Sequence, residues 1–153
     1  MELQIIRERI LKTPLLSKLP DSLRKRFAQT LLWLSDTQAA SRTQLLIEQG
    51  EKNRDLGVIL VEGMVRIKNE TIESKTIEAP DILGEVQLFT PERARTATVE
   101  VVVGGTILTF SWKALAAECR ATFTDDEMES LRKAIYDSAW TRERGLFEKL
   151  TKK

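Results

Sequence analysis

The spacing of apolar residues changes twice along this chain, from helical to strand-like and back, and that limits the folds open to it. Leu3, Ile6, Ile10 and Leu11 recur at helical spacing. Thr13-Pro14 ends that helix, because proline disfavours α geometry in the residue before it. Pro20-Asp21 starts a second helix, on which Leu23, Phe27, Leu31 and Leu34 form one apolar stripe for core packing. From residue 44 the apolar runs become short and rich in β-branched residues, as in Leu45-Leu46-Ile47 and Val58-Ile59-Leu60-Val61. Met64 to Ile67 alternates, and Thr98 to Val103 and Thr106 to Phe110 flank Gly104-Gly105, a hairpin signal. Gly50, Gly57 and Gly63 punctuate the earlier strands. Short, closely spaced strands of this kind build a small sandwich or barrel.

The helical period then returns. Ser111 is placed to cap a short helix through Ala114 to Arg120. Thr124 and Glu127 have the spacing of a capping box, and Met128, Leu131 and Ile135 follow on one face, with Tyr136 and Trp140 beside it. Gly145 interrupts that pattern before Leu146, Phe147 and Leu150 resume it. With 153 residues and no repeat or linker, the expectation is one domain over 1–153. It divides into N-terminal helices (1–42), a strand-rich core (43–110) and C-terminal helices (111–150).

Composition narrows the chemistry. The chain has no histidine and one cysteine, Cys119. The commonest general base and the commonest transition-metal ligand are therefore missing, and a typical zinc site cannot be built. The expectation is a protein that is not an enzyme and has no metal site and no cofactor. Net charge is +1, from 24 basic and 23 acidic side chains, so no excess argues for nucleic acid or an anionic membrane. A lone cysteine and the lack of a signal or membrane-spanning run predict a cytoplasmic protein without membrane insertion. Cys119 itself reads as an inert buried thiol.

One segment carries more. Residues 81–99 read DILGEVQLFTPERARTATV. Gly84-Glu85 opens a short helical turn, Glu85 to Phe89, that Pro91 ends, and Arg95 leads into a strand. A glycine before a helix start lets a ligand come close, and the exposed amides there attract an anion. An arginine grips phosphate oxygens with two donors, and a carboxylate suits hydroxyl groups. One phosphate on a hydroxyl-bearing sugar fits these groups. Taken by itself, a Glu–Arg pair at this separation is more often an exposed salt bridge.

The segment resembles the phosphate-binding cassette of cyclic nucleotide-binding domains, as found in cyclic nucleotide-dependent kinase regulatory domains and the catabolite activator family. Gly84-Glu85, Leu88-Phe89 and Arg95-Thr96-Ala97-Thr98-Val99 follow the family's order, and Ile47 to Gly50 and Val58 to Ile67 resemble its first strands. The resemblance implies an antiparallel β-roll (a jelly roll, or double-stranded β-helix) with helices at both ends. It implies that Arg95 pairs with the cyclic phosphate and Glu85 with the ribose 2′-hydroxyl. Gly84, Val86 and Gln87 then offer backbone amides, Leu83 and Ile67 form apolar walls, and Thr96 and Ala97 follow the arginine. Gln87, Pro80 and Leu83 depart from the family's usual small residue, glycine and phenylalanine.

The resemblance further implies a lid from the C-terminal helix, for which Arg132, Tyr136 and Trp140 lie on adjacent turns; core packing or a dimer surface is the alternative for these three. The expected function is a sensor that binds cAMP or cGMP and signals through C-terminal helix movement to a protein partner or within a homodimer. The competing expectation is a degenerate fold kept as an interaction domain without ligand. A one-chain transcription regulator would need a helix-turn-helix domain, for which the residues after Asp125 are too few.

Overall fold

The computed structural model describes residues 1–48, 55–69, 72–84 and 98–151. Three helices open the chain: α1 (Leu3–Leu11), α2 (Pro14–Ser17) and α3 (Asp21–Leu34). Among the described residues eight strands follow: β1 (Asp36–Ala40), β2 (Leu45–Ile47), β3 (Gly57–Leu60), β4 (Met64–Asn69), β5 (Ile72–Glu78), β6 (Asp81–Leu83), β7 (Thr98–Val103) and β8 (Gly105–Phe110). Two helices close it, α4 (Trp112–Thr122) and α5 (Asp125–Thr151). The strands form two antiparallel sheets, ordered β1-β8-β3-β6 and β2-β7-β4-β5. This is the expected β-roll with helices at both ends.

At β3 the first sheet is buried on both faces, which accounts for the unbroken apolar run there, every residue of which is buried. Val58, Leu60, Leu83 and Ile107 face the second sheet, where they meet Ile47, Val65, Val99 and Val101. Ile59, Val61, Ile82, Leu108 and Phe110 point the other way, onto the helices. There they join Ile6, Ile10, Leu16, Leu23, Phe27 and Leu31 from the N-terminal helices and Leu115, Cys119 and Leu131 from the C-terminal ones. The second sheet turns its other face to water. Arg66 and Lys68 lie there with Glu100, at 3.9 and 3.7 Å.

The helix signals hold in detail. The Ser111 hydroxyl accepts from the Ala114 amide at the start of α4. Thr124 and Glu127 form the capping box, each side chain accepting from the other's backbone N–H at 3.2 and 3.0 Å. Thr13-Pro14 does end α1, and Pro14 then opens α2 at its first position, where its missing N–H costs nothing.

Several features differ from the sequence reading. The strands that flank Gly104-Gly105 do not form a hairpin: β7 belongs to the second sheet and β8 to the first, so the glycines carry the chain from one sheet to the other. The roll begins at Asp36, inside the stretch 1–42 assigned to helices. The segment Asp36–Ala40 is mostly exposed and lacks apolar alternation; its pairing with β8, Asp36 opposite Thr109 through Ala40 opposite Gly105, makes it a strand. Gly145 does not interrupt α5, which runs continuously from Asp125 to Thr151. One interior glycine costs a helix ~1 kcal/mol and need not break it.

Thr43, in the turn between β1 and β2, has φ +72°. That left-handed region is costly for a β-branched residue, by ~1–3 kcal/mol. Its N–H donates to the Val101 carbonyl at 2.8 Å, and the Val101 N–H to the Gln44 carbonyl at 2.9 Å, so the turn is held by its neighbour β7. Asparagine tolerates this backbone better. Thr43→Asn is expected to stabilise the fold by about 1 kcal/mol, raising Tm by ~2–4 °C in thermal denaturation. An unchanged or lower Tm would show that the turn carries no strain.

Candidate nucleotide site

The strand registers bring the two predicted wall residues, Leu83 and Ile67, to one end of the roll. Val58 at the start of β3 lies opposite Leu83 at the end of β6, in the first sheet. Ile67 in β4 lies opposite Val99 in β7, and Lys68 opposite Thr98, in the second. Residues Leu83 and Thr98 therefore end and begin strands on facing sheets at the same end.

Two predicted wall residues meet there. Leu83 is 2% exposed, and Ile67 packs half-buried against the same inner cluster, with Leu56 and Val58 nearby. Gly84 follows directly, with φ +96°. A side chain rarely adopts that conformation, so glycine is the residue that lets the backbone turn out of β6 here. The other predicted cassette residues, Glu85, Val86, Gln87, Arg95, Thr96 and Ala97, lie outside the described residues, as does the expected helical turn from Glu85 to Phe89.

Of the three predicted lid residues, all belong to α5. The helix packs against α2 and beside β5, the edge strand next to Ile67's own strand. The Arg132 side chain is exposed and donates to both carboxylate oxygens of Glu129, at 3.1 and 2.6 Å. That hydrogen bonding, with the guanidinium charge, holds the Glu129 carboxyl below its ordinary range. Tyr136 is 46% exposed. The Trp140 side chain lies outside the described part of the helix.

Two residues at this end were passed over in the sequence. Lys75 lies directly opposite Ile67 on β5, on the same face of the sheet, and is exposed. It stands as a cation at the rim of the wall. The signal was the alternation in Ile72–Glu78, diluted by polar residues. Asp55 is the second. Its carboxylate accepts from the Ser111 hydroxyl at 2.5 Å and from the Trp112 amide at 2.8 Å, so it caps α4 from just ahead of β3. An acid near a helix N-terminus opposes the positive end of the helix dipole.

Cys119 is 3% exposed, and burial, with the Glu118 charge beside it, pushes its thiol up to about 11. A buried thiol held so far above its ordinary range is a poor nucleophile, in line with an inert core cysteine. Among the described residues no group of acidic or cysteine side chains is placed to hold a metal ion, and no helix is long and apolar enough to cross a membrane.

The sequence profile of the cyclic nucleotide-binding domain matches residues 37–122, more than half of the chain. The chain belongs to the cyclic nucleotide-binding domain family. The matched stretch runs from β1 to the last residue of α4 and contains the whole cassette segment. Domains of this family are regulatory rather than catalytic. No curated protein matches the sequence.

Solved structures share the fold at low identity. The sensor domain of the transcriptional regulator DNR from Pseudomonas aeruginosa is 20% identical, over 89% of this chain and 91% of that one, with a TM-score of 0.64. A PKAR CBD2 with Sp-2Cl-cAMPS bound is 17% identical, over 88% and 89%, with a TM-score of 0.61. The regulatory domain of Toxoplasma gondii PKA, crystallised with cAMP, is 18% identical with a TM-score of 0.63; it covers 88% of this chain, which spans 49% of that one.

Proposed function

We propose that this cyclic nucleotide-binding domain is a sensor that takes up cAMP or cGMP at the end of its roll and passes the binding event on through α5. The observation that carries the reading is the meeting of Leu83 and Ile67 in one apolar cluster, with Gly84 turning the chain out of β6 at their edge. The segment that starts there holds Glu85 and Arg95 in its sequence, an acceptor pair for a ribose hydroxyl and a donor fork for a phosphate. An apolar wall with a few convergent polar groups is the usual build of a small-ligand site. The ligand is then stabilised by its phosphate on Arg95, its ribose on Glu85 and its base against the apolar wall. Nothing is transferred or cleaved. Binding shifts a population, and a protein partner or a second copy of the chain reads the shift in α5.

Calorimetry with cAMP, cGMP and inorganic phosphate tests this. Both cyclic nucleotides are expected to bind and phosphate alone not measurably; no heat from either nucleotide would leave a fold without a ligand. The choice of base depends on Thr96, which directly follows Arg95. Its hydroxyl accepts from the 2-amino group of a syn guanine, and adenine lacks that donor. One hydrogen bond contributes ~0.5–1.5 kcal/mol net, so the preference is tenfold or less and cGMP is not strongly rejected. Thr96→Ala is expected to weaken cGMP more than cAMP. An equal loss for both ligands assigns the hydroxyl to the phosphate instead, and no loss for either removes it from the site.

A further inference from the structure

We propose that Arg26 is a clamp on the α4–α5 junction, a positioning residue that sets how readily α5 leaves its place against α2 and β5. The junction is short: α4 ends at Thr122 and α5 begins at Asp125, leaving Phe123 and Thr124 between them. Arg26 reaches this point from the exposed face of α3. Its guanidinium lies over the Phe123 ring, 4.8 Å from the centroid, and its Nη2 donates to Glu127 Oε2.

Glu127 has one carboxylate for two tasks. Oε1 accepts from the Thr124 N–H and closes the capping box, while Oε2 takes the arginine. One side chain of α3 therefore touches the last residue of α4's cap and the residue that closes the cap of α5. Phe123 is 7% exposed and anchored in the helix-side core, so the ring is a fixed platform. The guanidinium is about half exposed and Glu127 about a quarter exposed. Such a contact is weak enough to open, and it is sensitive to salt.

The clamp is built from residues outside the stretch that the family profile matches. Arg26, Phe123, Thr124 and Glu127 all fall outside residues 37–122. It therefore concerns how α5 is attached, not the roll itself. Its use in signalling rests on the sensor reading above; its test does not, because it needs no ligand.

Hydrogen exchange on the ligand-free full chain reads the clamp directly. Arg26→Gln is expected to speed exchange of the amides in 127–138 by roughly 5- to 20-fold, the worth of an exposed ion pair plus a cation–π contact. Arg26→Lys keeps the charge and loses the flat stack, so it recovers part of the protection, and that part vanishes at high salt. Amides of β3 and β8 should exchange as in the parent. If Arg26→Gln does not fold, Glu127→Gln gives the same readout, since its amide oxygen still closes the cap while the ion pair is gone. Unchanged exchange in 127–138 overturns the proposal. So does acceleration of equal size in β3 and β8, which would make Arg26 a general stabiliser.

Discussion

Arg95→Ala is expected to weaken cyclic nucleotide binding by ~2–5 kcal/mol, or roughly 30-fold to several thousand-fold in Kd. A cyclic phosphate carries one full charge, and burying it in the mouth of an apolar roll is unfavourable unless a cation takes it up. In the proposed site Arg95 would do so with two parallel donors, and its loss would remove that ion pair. Glu85→Ala should cost less, ~0.5–1.5 kcal/mol, because the partner proposed for it is a neutral hydroxyl. Arg93 is the internal control: it has the same charge and stands two residues away. Arg93→Ala should bind nearly like the parent. Calorimetry on the three variants separates the outcomes. Loss in Arg93→Ala with none in Arg95→Ala would move the phosphate contact by two residues. Parental binding in all three would place the ligand elsewhere.

Much of this arrangement is legible along the chain, and what is not has a common cause. Local signals survive folding intact. Ser111 caps α4, Thr124 and Glu127 box α5, and Pro20-Asp21 opens α3, because each depends on residues within one helical turn. Strands that fill the core are equally plain, as in Val58 to Val61. Two of the edge strands are hidden. Both β1 (DTQAA) and β5 (IESKTIE) lie at sheet edges and are mostly polar; β1 owes its shape to β8, which is distant in sequence, and β5 to its pairing with β4, the strand just before it. Missing β5 also hid Lys75, since a lysine is placed beside Ile67 only by the register. The walls Leu83 and Ile67 are ordinary apolar residues in the sequence, and only the family resemblance singled them out. Arg26 had no signal at all, because its partners Phe123 and Glu127 are about a hundred residues away and join it only by tertiary packing.

Gly57→Ala is expected to destabilise the fold by about 3 kcal/mol or more, at the upper end of overpacking costs. A Cβ on Gly57 would lie 2.2 Å from Cζ of Phe110 and within 2.6 Å of two other ring carbons. Gly57 and Phe110 face each other across β3 and β8, so the ring lies flat over the bare glycine. It has nowhere to go. Phe110 is 4% exposed, and its other neighbour is the Trp112 ring, edge-on at 4.7 Å between centroids. Moving the ring moves Ser111 and Trp112, hence the cap that Asp55 makes on α4, so a methyl group inside the sheet disturbs the C-terminal helices as well. A loss of this size lowers Tm by ~6–12 °C for a chain of this length. The same geometry supplies the check. Phe110→Leu alone should be destabilising through lost contact, yet combined with Gly57→Ala it should recover part of the stability, because the smaller side chain vacates the space the methyl needs. Additive losses in the double variant would show that the glycine is required for some reason other than the ring above it.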